Sequence, residues 1–177
     1  MFEGWENFFL MVGGAAAVLI GLIYVVISLM HDRPRSSVLA GSRLYMGPIV
    51  LGVSFVLILS AAALTPGITS GWYAAIAGVV ALWGLARGIM SIAGLSGLVG
   101  KEREVHWTDT WFYGFFPSLL YLAMGAVALA FWRGWSWAHY GLAAVLTGAL
   151  LLAIRNEWDL ITWIAPRADS KGRDGHD

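Results

Sequence analysis

The chain has 177 residues, 59% of them hydrophobic and only 12% charged, with a mean hydropathy of +0.72 and no formal net charge. A soluble domain carries about 25% charged residues, so most of this surface faces something other than water, and a neutral chain offers nothing to attract nucleic acid. The absence of cysteine excludes disulfides, thiol catalysis and thiolate metal sites.

A membrane-spanning helix needs ~20 apolar residues, so about five fit in this length. The first apolar run covers residues 8–30. No Lys or Arg precedes it, and it is too long for the apolar core of a cleavable signal, so it reads as a retained span. Gly13, Ala17 and Gly21 recur every four residues, a stripe of small side chains on which another helix can pack closely. Pro34 ends the run, because it has no N–H and restricts Arg33 before it.

The second run, 44–64, is entered through Arg43 and carries Pro48 in its first turn, where a missing donor costs least. Thr65-Pro66-Gly67 closes it as a turn. The third, 72–99, begins at Trp72 and Tyr73, rings that favour a membrane interface. Small residues run through it, and Gly84 and Gly88 form a GxxxG pair with Gly94 beyond them. Intramolecular helix packing is the ordinary use of such a pair; a seam between copies is the other.

A polar stretch, KEREVHWTDTW, leads to the fourth run, 111–131, which has Pro117 in its first half. The turn Trp132-Arg133-Gly134-Trp135 is so short that the fifth run, 137–154, must lie antiparallel beside the fourth. Beyond it, Ile154, Trp158, Ile161 and Ala165 fall on one helical face while Arg155, Glu157, Asp159 and Thr162 lie on others. Residues 155–165 therefore read as an amphipathic continuation of the fifth run, bending along the headgroups. Residues 166–177 read as a disordered tail.

The expected fold is an all-α integral membrane bundle of five transmembrane helices in a single domain, 1–165. Arg33, Arg35, Arg43, Lys101, Arg103, Arg155, Arg167, Lys171 and Arg173 all fall on one side of that topology, and only Arg133 lies in a loop on the other. The positive-inside rule then places the N-terminus outside and the C-terminus in the cytoplasm of an inner or plasma membrane. Two interface belts account for nine of the ten tryptophans, leaving Trp83 in mid-span, four residues from Arg87 and in reach of a cation–π contact.

Arg87 is the one cation inside a span, and no span holds a carboxylate to pair with it. At mid-bilayer an arginine costs about 2.5–3.5 kcal/mol on insertion scales. Three readings follow: it snorkels to headgroups, it faces an anion or substrate, or it is held by internal hydrogen bonds. Gly84, Arg87, Ser91 and Gly94 share a helical face, which directs the arginine into the bundle. Arg87, Arg43 and Ser91 are thus the candidate contacts for an anion or a lipid headgroup. His31, Asp32, His106 and Asp109 lack the spacing of a metal motif, so no metal or other cofactor is expected. No GxSxG, HExxH, Walker A or CxxC occurs, no span carries a lysine, and the one histidine within a span, His139, stands at its very start and has no serine beside it in sequence within that span. No catalytic residue is assigned.

Five spans and many tryptophans resemble the tryptophan-rich sensory/translocator family, but the Lys-Pro-x-Trp signature of that family's first loop is missing, the first lysine being Lys101. The opening GGAAAVLIGLIYVVISL is similar to the first span of small polytopic bacterial membrane proteins of unknown function. That resemblance covers one helix and implies no activity. The leading expectation is a non-enzymatic structural or regulatory protein whose partners are the lipid bilayer and a second copy. The alternative is an oligomeric channel or carrier for a small anion that uses Arg87.

Overall fold

The computed structural model describes residues 1–29, 47–96 and 111–164. Arg43, the loop residues His31, Asp32, His106 and Asp109, and the tail lie outside them. Among the described residues there are five α-helices and no strand: α1 (Glu6–Leu29), α2 (Gly47–Leu64), α3 (Ser70–Ser96), α4 (Phe116–Arg133) and α5 (Ala138–Ile164), with a π-helical turn over Trp111–Phe115 ahead of α4. Four helices are long and apolar enough to cross a membrane, over Glu6–Val25, Ser70–Met90, Phe116–Arg133 and Ala138–Ile161. The apolar stretch of α2, Ile49–Leu64, is shorter.

The chain forms these helices because its apolar runs carry few competing backbone partners, and it breaks them where backbone chemistry demands. Gly67 takes a left-handed φ of 72° after α2. Thr69 Oγ1 accepts the Trp72 N–H at 3.4 Å and helps to start α3. Gly134 adopts φ 69° after α4, with its own N–H donating to Phe131 O and the Trp135 N–H donating to Ala130 O at 2.9 Å. The latter six-residue closure reverses the chain within four residues, so α4 and α5 leave the turn as antiparallel neighbours. Pro117 has no N–H to give the carbonyl four residues back, and the widened π-helical turn lies just ahead of it.

Two tight helix pairs and a fifth helix make the bundle. In the α1–α2 pair a Cβ on Gly13 would stand 3.0 Å from Ser60 Cβ, so the two backbones approach closely. In the α3–α4 pair, the most extensive contact in the fold, Gly84 lies against the Tyr121 ring and Gly88 against Ser118. Packing of this kind suits hydrocarbon, where apolar burial gives no drive between helices and close contact must supply it. Helix α5 packs on α4, α2 and α1.

Several faces differ from the sequence expectation. Gly21 has nothing within 4 Å and Ala17 is exposed. The buried stripe of α1 runs instead through Phe9, Val12, Ala16, Leu19 and Ile23, with Gly13 at its edge. A spacing of four identifies a face; it does not say which larger side chains fit the neighbour better. The stretch after Ile154 continues α5 as one helix to Ile164, and the difference there is in which side is buried. Its apolar side, Ile154, Trp158 and Ile161, is the exposed one, while Asn156, Glu157 and Leu160 are buried.

Candidate functional site

Two regions carry polar groups worth a functional reading: the outer wall of α3 around Arg87, and a chamber at the end of the bundle where α5 meets the π-helical turn.

Arg87 is exposed, on the outside of the described bundle. The seam of α3 comprises Tyr73, Ala77, Val80, Ala81, Gly84 and Gly88, all buried. Three residues correspond to ~300° of helical turn, so Arg87 stands ~60° to one side of Gly84, while Gly88 stands ~40° to the other. Arg87 therefore leaves from the flank of the seam rather than entering it, which corrects the inward direction read from the shared face. The apolar segment of α3 ends at Met90, so Arg87 lies in its last turn. For Ser91 and Gly94 the helical backbone alone is described. Trp83 is also exposed, and among the described residues no cation–π contact joins it to Arg87.

The cation–π contact that does form lies elsewhere. The Arg155 guanidinium carbon sits 3.1 Å from the centre of the Phe112 ring. The same guanidinium pairs with Asp159 at 3.1 Å, one helical turn on, and reaches Asn156 Oδ1 at 3.4 Å. Asn156 is only 4% exposed and donates from Nδ2 to the Phe112 carbonyl at 3.4 Å. Arg155 and Asn156 thus tie α5 to the π-helical turn through both the ring and the carbonyl of one residue. Glu157, beside them, is 8% exposed, and its Oε1 has no hydrogen-bond partner among the described residues. Burying a carboxylate oxygen in this way costs free energy.

Above Asn156 lies a half-open cavity of about 60 Å³ between α2, α4 and α5, roofed by Val80 of α3. Its walls are apolar, including Gly52, Phe55, Leu59, Met124 and Leu146. The cavity exists because α2 packs on α1 while α4 packs on α3, leaving α5 to bridge the two pairs. Tyr121 enters from α4. Its ring meets Phe55 edge-on at 5.7 Å and lies against Gly84. Its hydroxyl lines the cavity 4.0 Å from where a Gly52 Cβ would be, with no hydrogen-bond partner among the described residues.

Sequence reasoning passed over Tyr121, Asn156 and Glu157. The usable signal was the position of polar residues on a helix whose apolar face can satisfy lipid: in hydrocarbon, the polar side is the inner side. The opposite end of the bundle holds an aromatic cluster centred on Phe2 and a more open recess lined by Glu3 and Glu6. Among the described residues no three His, Asp or Glu side chains converge as a metal site would require. No protein-family model, curated protein or solved structure matches this chain.

Proposed function

We propose that this chain is a five-span protein of a bacterial inner or plasma membrane, with its N-terminus outside and its C-terminus in the cytoplasm. It acts without catalysis, as a structural or regulatory partner working through helix and lipid contacts. The observation that carries this reading is Arg87, exposed in the last turn of the apolar segment of α3. A cation so placed reaches the headgroup layer along the helix surface and holds an anionic lipid there. The basic residues at that end of the bundle, Arg155 among the described ones, support the same cytoplasmic orientation. Helix α2 serves as the fifth span because it lies antiparallel along α1, with Ile49, Val53, Val56, Leu59 and Ala63 buried along its length. The anion-path alternative loses its support within one copy, since Arg87 does not face the interior cavity.

The test is reconstitution. Purified protein in vesicles is expected to pass chloride or phosphate no faster than protein-free vesicles, with or without Arg87→Ala. Anionic lipid is expected to stabilise wild type over Arg87→Gln by about 1 kcal/mol, the worth of one cation near a charged surface. Anion flux in wild type that disappears in Arg87→Ala would overturn the reading.

A further inference from the structure

We infer that the chamber between α2, α4 and α5 binds one acyl chain of a bilayer phospholipid, with the chain's ester carbonyl accepting a hydrogen bond from the Tyr121 hydroxyl. The inference rests on the membrane reading above but on none of the residues that carry it.

Three observations converge. The cavity is apolar and half-open, so an acyl chain enters without losing hydration and lies with one side against the protein. Its volume, about 60 Å³, suits a short stretch of one chain and not a ring system or a second helix. The Tyr121 hydroxyl is a donor with no protein acceptor among the described residues, in a lining whose other polar side chain, Asn156, already donates to the Phe112 carbonyl. A ligand carbonyl gives that hydroxyl an acceptor.

Charge selects the occupant. Gly52 faces the hydroxyl and leaves space for the carbonyl. A free fatty acid would bring a carboxylate and need a cation. The nearby cation, Arg155, is already engaged by Asp159 and by the Phe112 ring, and Glu157 adds a carboxyl group at the same end. A neutral ester fits this charge set, and a carboxylate does not.

The experiment uses the full chain in phosphatidylcholine vesicles doped with a phosphatidylcholine that carries a photoreactive diazirine in one acyl chain. Peptide mapping is expected to find cross-links at Leu59, Met124 and Leu146, all buried from bulk lipid, in addition to exposed residues such as Leu22 and Val79. Tyr121→Phe keeps the ring that packs on Gly84 and removes only the hydroxyl, and it is expected to lower the buried cross-links about fivefold, the worth of one ordinary hydrogen bond. Gly52→Leu is expected to abolish them while the exterior pattern persists. Cross-links confined to exposed residues would overturn the proposal. So would buried cross-links indifferent to both substitutions, or buried labelling by a diazirine fatty acid and not by the phospholipid. Absent buried labelling sinks the acyl site and leaves the flux result untouched; flux dependent on Arg87 sinks the functional reading and leaves the buried cross-links in place.

Discussion

Gly84→Val is expected to cost about 3 kcal/mol or more of stability in detergent or bicelles, read from thermal unfolding. The first side-chain carbon at Gly84 would land on the ring of Tyr121, and valine adds two more. Overpacking a well-fitted contact costs about 1–3 kcal/mol even where neighbours relax. Here the neighbour is an aromatic ring already packed edge-on against Phe55. Helices α3 and α4 would have to separate, and α3–α4 is the most extensive contact in the fold. The matched control is Gly78→Val on the same helix. Nothing lies within 4 Å of a Cβ there, so it should stay within about 0.5 kcal/mol of wild type. Equal effects at the two positions would show that the seam does not run through Gly84.

Phe2→Ala is the second large effect, at about 3 kcal/mol. Phe2 precedes α1 and would pass for an unstructured terminal residue, yet it is 5% exposed. Its ring meets Phe9 of α1 at 5.0 Å, Tyr73 of α3 at 4.8 Å, Phe131 of α4 at 5.6 Å and His139 of α5 at 5.3 Å, all edge-on. One side chain thereby joins four helices, and His139 Nε2 lies 3.1 Å from the Met1 carbonyl beside it. Truncating a buried phenylalanine costs about 3–5 kcal/mol, and each edge-on ring pair contributes about 0.5–1.5 kcal/mol beyond area burial. Phe2→Leu keeps most of the volume and loses the ring pairs, so it should fall between alanine and wild type. A loss below about 1 kcal/mol for the alanine variant would mean that the N-terminal segment is not part of the core.

The helices themselves were legible because composition decides them. Apolar runs ended by Thr65-Pro66-Gly67 and Gly134 leave little choice of structure, and the helices before them, Gly47–Leu64 and Phe116–Arg133, end at those turns. Direction was harder to read. Arg87 shares a face with Gly84 by spacing, yet ~60° of turn separates a position on the seam from one beside it. Gly21 and Ala17 continue the rhythm of Gly13, but α1 fits its neighbour with Ala16 and Leu19 instead. The chamber could not be read at all, since it results from α2 and α4 each pairing with a different helix. Asn156 and Glu157 were visible as polar residues; their inward orientation follows only once the apolar side of α5 is seen to face outward.

The position of Arg87 decides between a lipid contact and an anion path, and the chain is ready for the measurement because it has no native cysteine. A nitroxide spin label on Arg87→Cys, in vesicles, reports its surroundings through collision with oxygen and with a water-soluble nickel chelate. The account predicts a mobile label that collides with both, as at the boundary between chains and headgroups. An immobilised label shielded from both reagents would place this side chain inside the bundle and contradict the account.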